Sequence, residues 1–226
     1  MRTRRFSANH VLIAFAALLI SGGTFAMFAE LRPYASANAP IADRVRDLAA
    51  GDASYGLSTS SRQVLLFDCR TAMVSLYARV QTAMVRDNLN RNCLGASDRL
   101  VAEQPTFSIA WLTGALAASQ LGDWDGFNRR FEQSLRTGPV EQWIAQIRVS
   151  IAETYYDRLS EAAKVGNAAD MLLMTDTDPG LMELARIYVR LEGSRGRITA
   201  VVAQTPEITR EKFERRVRMV TQEAGG

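Results

Sequence analysis

"QLGDWDGFNRRFEQSLRTGP", residues 120–139, holds a complete helix with both of its ends marked. Leu121-Gly122-Asp123-Trp124 reads as a turn: glycine allows the reversal, and aspartate can cap the helix that follows. Phe127, Phe131 and Leu135 then recur four apart, the spacing that lines one face of an α-helix. Gly138 and Pro139 close it, and Pro139 suits the first turn of the next helix.

The same alternation of helix and break fills the chain from Arg62 onward, with no run of alternating β-branched residues between turns. Val64, Leu65, Cys69, Ala72, Leu76 and Val80 give one apolar face. Met84, Leu89, Cys93, Leu94, Leu100 and Val101 give the next, which stops before Pro105. A third helix spans residues 107–121 with Trp111, Leu112, Ala115 and Ala118. A fifth opens at Pro139 and carries Trp143, Ile144, Ile147, Ile151 and Tyr155. "DMLLM" is a short sixth piece before "TDTDPG", where Asp178 can cap a helix with Pro179 at its first position. "GSRGR" is a further break, and Thr205-Pro206 begins a terminal arginine-rich helix through Phe213, Val217 and Val220. The expected fold class is all-α.

Pro105 and Pro139 lie 34 residues apart, and the same shift pairs Tyr77 with Trp111, Cys93 with Phe127, Ser97 with Phe131 and Val101 with Leu135. That is the period of the tetratricopeptide repeat, a helix-turn-helix unit. The second copy resembles this family in Trp111, in Gly114-Ala115 at the helix crossing, and in Gly122-Asp123-Trp124 at the turn. Phe131, Leu135 and the closing Pro139 continue the match. Phe127, Gly114-Ala115 and Ala118 stand where the family usually has alanine, leucine-glycine and tyrosine. After Pro139 the register is lost, since Leu173 stands 34 residues on. The resemblance implies antiparallel helix pairs stacked as a short solenoid over residues 62–139, with residues 140–226 as a helical cap. It also implies a groove for a protein partner, with candidate residues Arg79, Ser108, Thr113 and Gln120.

The N-terminus speaks to location. Residues 1–10 are basic, through Arg2, Arg4 and Arg5, and residues 11–29 carry no charge. A bilayer core of about 30 Å needs about 20 apolar residues, so this run reads as a transmembrane anchor, with a cleaved signal peptide as the alternative. Residues 30–61 read as a linker with one short helix at "IADRVRDLAAG". The positive-inside rule keeps the arginines cytoplasmic and sends the body outward. An oxidising compartment then makes Cys69 and Cys93 a disulfide, against two buried thiols as the alternative. The bridge favours a hairpin turn at Gln81-Thr82, equidistant from both cysteines, whereas the repeat register places it near Asp87-Asn88.

Chemistry is sparse. The only histidine is His10, in the leader, so neither a Ser-His-Asp arrangement nor a His/Cys metal site is expected in the body, and no cofactor is expected. Setting aside Arg2, Arg4 and Arg5 leaves 24 of the 27 basic residues against 24 acidic ones, which argues against a nucleic-acid partner. Two carboxylate pairs, Asp123/Asp125 and Asp176/Asp178, leave a glycan hydrolase as the alternative, although turns and caps use the same residues.

The expectation is a non-enzymatic protein in the inner membrane, single-pass, with a periplasmic body, or secreted if the leader is cleaved. It would bind protein partners in the cell envelope, or copies of itself. In layout the chain resembles small anchored or exported repeat proteins of Gram-negative bacteria that accompany envelope polysaccharide machinery. One measurement checks the cysteines: an alkylating reagent should label neither Cys69 nor Cys93 in the exported protein until it is reduced.

Overall fold

A computed structural model describes residues 8–225, so the leading arginines lie outside the described residues. Every regular element among these residues is helical. In chain order they are α1 (Ala8–Ala37), α2 (Ile41–Ala50), α3 (Thr59–Val74), α4 (Leu76–Arg79), α5 (Ala83–Glu103), α6 (Ser108–Gln120), α7 (Trp124–Thr137), α8 (Gln142–Thr154), α9 (Glu161–Met174), α10 (Asp178–Arg190), α11 (Arg195–Val202) and α12 (Glu207–Gly225). Single 3₁₀ turns at Tyr156–Arg158 and Glu192–Ser194 precede α9 and α11. The chain divides into two compact units, with the boundary inside α5 between Asn92 and Cys93. Cys69 and Cys93 are both buried and both disulfide-bonded.

In the first unit α1 is one continuous helix, long and apolar enough from His10 to Ala37 to cross a membrane. The expected linker at residues 30–40 is instead mostly its last turns, which pack on α3. Glu30 explains why. Its carboxylate accepts the backbone N–H groups of Leu57 and Ser58 at 2.9 and 3.0 Å, and the hydroxyls of Ser58 and Ser61. A negative charge at the start of α3 satisfies amide groups that a helix N-terminus otherwise leaves unpaired. The short helix at residues 41–50 forms as expected, burying Val45 and Leu48. An Arg44–Asp68 ion pair ties it to α3, and Asn92 Nδ2 donates to the Leu48 and Ala49 carbonyls at its C-terminus.

The hairpin turn falls where the cysteines placed it. Residues 80–82 separate α4 from α5, Thr82 Oγ1 accepts from the Val85 N–H, and Asp87-Asn88 lies within α5. One expectation fails here. Ser75 ends α3 and caps α4, with its Oγ accepting from the Ala78 N–H at 3.1 Å. The break shifts the helical register, so Ala78 turns inward and the predicted apolar positions do not. Leu76, Val80 and Met84 are 78%, 79% and 70% exposed, and Tyr77, expected to pack between repeats, is exposed as well.

In the second unit α6 packs along α7, and α8 along α9. Gln142 begins α8 34 residues after Ser108 begins α6, whereas Glu161 begins α9 37 residues after Trp124 begins α7. The second turn runs through Tyr156–Arg158 to a Ser160 cap and carries no Gly-Asp pair. Pro139 lies in the loop before α8 and Glu141 is its N-cap, so Pro139 does not open the helix. "DMLLM" is the end of the 14-residue α9. Thr177, not Asp178, caps α10, since its hydroxyl accepts from the Gly180 N–H. The expected break at "GSRGR" is a single 3₁₀ turn, and α11 begins inside it. α10 packs on α12, α9 and α8, and one apolar core runs through Val149, Met171, Met174, Leu184, Ile198 and Phe213.

The first hairpin matches its reading closely. Gly122 takes φ +78 in the turn, where a Cβ would be strained. Gly114 lets the helices approach, because a Cβ there would lie 3.1 Å from Arg130 Cδ and 3.2 Å from Ser97 Cβ. Asp123 caps α7 by accepting from the Gly126 N–H at 2.8 Å. Ala115, Phe127 and Phe131 are fully buried, and Leu135 packs beside Gly166 of α9.

Beneath them lies a buried arginine. Arg148 of α8 is fully enclosed and grips Asp170 of α9 with two bonds of 2.6 and 2.7 Å. Its remaining donors reach the Ser134 and Gly138 carbonyls, and Ser108 Oγ also donates to the Ser134 carbonyl at 2.8 Å. Removing one member of a buried pair leaves an uncompensated charge and costs about 3–5 kcal/mol, whereas replacing both with apolar residues is often neutral. Urea unfolding should therefore show a loss of about that size for Arg148→Ala, and near-native stability for Arg148→Met combined with Asp170→Leu.

Candidate functional site

The turns at one end of the second unit enclose a cleft of about 540 Å³. Its walls come from the start of α7, the α8–α9 connection and the α10–α11 connection, through Trp124, Tyr155, Tyr156, Arg158, Arg190 and Arg197. Two connections carry 3₁₀ turns, which swing Tyr156 and Arg158 out of helical register and into the opening.

Aromatic packing sets the floor. Trp124 meets Phe127 edge-on at 6.0 Å between ring centres, and Tyr155 lies 5.7 Å from Trp124. Gln120 Nε2 donates to Tyr155 Oη at 2.6 Å and steadies that ring. Over these rings lie guanidinium groups. Arg197 is 3.6 Å from the centre of Tyr156, and Arg158 is 5.2 Å from that of Trp124. The negative ring face attracts each cation. Glu153, whose side chain is buried, receives Arg197 on one side and Asn167 Nδ2 at 2.7 Å on the other. The Glu153 charge is thus satisfied from within.

Arg158 and Arg190 differ. Arg158 has no carboxylate partner among the described residues, and Arg190 only touches Ser150 Oγ at 3.4 Å. Asp157, on the same wall, makes no direct ion pair among the described residues, although its charge acts on Lys164. The cleft therefore holds a compensated interior and a charged, oriented rim. Elsewhere burial pushes the Asp170 carboxyl up, against the pull of Arg148, and pulls the Arg70 guanidinium down to about 10.

The predicted groove residues do not assemble. Ser108 and Thr113 are buried, with hydroxyls donating to the Ser134 and Ile109 carbonyls. The physical reason lies in α6: "SIAWLTGALAASQ" is apolar on every side, and such a helix is covered on every side. Arg79 and Gln120 are exposed, and Gln120 is bonded to Tyr155 of the cleft. Of the residues assigned to repeat packing, Trp111 is half-buried with Nε1 bonded to the Pro105 carbonyl, while Pro105 and Pro139 are exposed at helix ends.

The carboxylate pairs are helix-start residues. Asp123 spends its carboxylate on the α7 cap, Asp125 lies in the first turn of α7, and Asp178 pairs with Lys212 at 3.7 Å. No cluster of three or more metal-ligating His, Cys, Asp or Glu side chains occurs among the described residues.

Sequence reasoning missed the cleft because its residues come from three separate turns. The one local signal was "ETYYDR", two tyrosines and an arginine where a helix was expected to end. No protein-family model, curated protein or solved structure matches the chain.

The buried acid is the part of this site most open to measurement. Glu153→Ala removes the acceptor from Arg197 and Asn167 together, and leaving a buried polar group unpaired costs about 1–3 kcal/mol. Thermal unfolding should show that loss, while Asp157→Asn on the rim should leave stability unchanged.

Proposed function

We propose that this chain is a membrane-anchored adaptor: α1 spans the inner membrane, and the body outside the cytoplasm binds a protein partner of the cell envelope. The observation that carries this reading is the 34-residue step from α6 to α8, with each of these helices paired to the next. Such units fit a short tetratricopeptide-like solenoid, an architecture that offers extended surfaces to partners. The exposed apolar anchor and the oxidised cysteine pair support the location.

With α6 enclosed, the outer stripe of α8 becomes the partner face: exposed Trp143 and Thr154 and half-buried Gln146, Ile147 and Ser150 recur at helical spacing. The exposed Arg186 continues it on α10, which packs beside α8. Mixed apolar and polar side chains on this stripe suit a protein surface, and the internally satisfied carboxylates favour binding over hydrolysis.

A photo-cross-linking residue placed at Ile147 and activated in intact cells should give one discrete adduct of higher mass. The same residue at Arg129, exposed on α7, should give none. A folded, membrane-bound protein without an adduct from Ile147, or with equal adducts from both positions, would overturn the adaptor reading.

A further inference from the structure

We infer that the cleft is an anchoring site for an acidic polypeptide segment, whose side-chain carboxylate is held between Arg158 and Arg190. The inference rests on the adaptor reading and specifies its partner's chemistry.

Three observations carry it. First, Arg158 and Arg190 line one 540 Å³ cleft and lack carboxylate partners among the described residues, while the acids of the same lining are engaged elsewhere: Glu153 with Arg197, Glu192 with Arg195, and Asp157 with the charge of Lys164. Second, they are oriented. Arg158 lies over Trp124 with its centre 5.2 Å away, and Arg190 rests against Ser150 Oγ. A guanidinium drawn to a ring face by cation–π attraction is kept at the cleft, where its N–H fork can receive a carboxylate with two parallel bonds. Third, the cleft is continuous with the α8–α10 stripe, because Thr154 belongs to both and Arg190 follows Arg186 by one turn of α10.

A helix of 13 residues such as α8 is about 20 Å long, which about six extended residues span. Asp157 on the rim offers an acceptor to backbone N–H groups of such a segment. Arg197 is unavailable for the carboxylate, being committed to Glu153 and stacked on Tyr156. A polypeptide fits better than a glycan. The two rings that could stack on a sugar, Trp124 and Tyr156, each have a face occupied by an arginine.

The test uses the full chain in detergent micelles and fluorescent probes: an acetylated glutamate decapeptide, its glutamine counterpart and an oligoglucuronate of similar charge. Fluorescence anisotropy should show the glutamate peptide binding at least about tenfold more tightly than either of the others, the discrimination that about 1.4 kcal/mol supplies. Arg158→Gln and Arg190→Gln should each weaken it by about the same factor. Arg129→Gln, which removes an exposed arginine of α7 that does not line the cleft, should not. Both variants keep native folding by circular dichroism, since neither residue is buried.

Equal binding of glutamate and glutamine peptides, or full binding by the arginine variants, overturns the inference. Preference for the oligoglucuronate overturns it in favour of a glycan site. The Ile147 cross-link separates the two readings: an adduct without acidic-peptide binding removes only this inference, and loss of the adduct removes the adaptor reading itself.

Discussion

Arg148 is the residue on which the second unit depends. A guanidinium cannot be left in a protein interior without partners, because the desolvation cost of an isolated charge is several kcal/mol. Here its donors reach Asp170 on α9 and two carbonyls at the end of α7, while Ser108 of α6 shares one of those carbonyls. Four helices are therefore held in one arrangement. Carbonyls at a helix C-terminus are unpaired by construction, so a cation from the next helix is a natural way to satisfy them. Apolar packing around Phe127, Phe131, Val149 and Met174 supplies the bulk of the stabilisation. The ion pair selects which packing results.

Glu30 has the corresponding part in the first unit. Its carboxylate sits at the N-terminus of α3, so α1 and α3 share one set of hydrogen bonds. The last turns of α1, as far as Ala37, pack on α3 and do not form a flexible linker.

The all-helical class, the short helix at residues 41–50, the α6–α7 hairpin and the cysteine-based turn were all legible, because each rests on local chemistry. Gly122, Asp123 and the four-residue spacing of the phenylalanines act within a few residues of themselves. The pairing of α8 with α9 was not legible, since a 3₁₀ turn with a serine cap stands where the first hairpin has its Gly-Asp signal. The outward-facing Leu76 and Val80 were misread for a related reason: periodicity assumes an unbroken helix, and Ser75 breaks it.

Composition and periodicity by themselves determined a helical fold with one N-terminal segment long and apolar enough to cross a membrane, because hydropathy and helical spacing are properties of neighbouring residues. Only the tertiary structure decided which surfaces remain. It enclosed α6, and with it Ser108 and Thr113, because a helix apolar on all sides is stable only when surrounded. It brought Trp124, Tyr156, Arg158 and Arg190 together from segments up to 66 residues apart, a proximity produced by helix packing that no local pattern encodes.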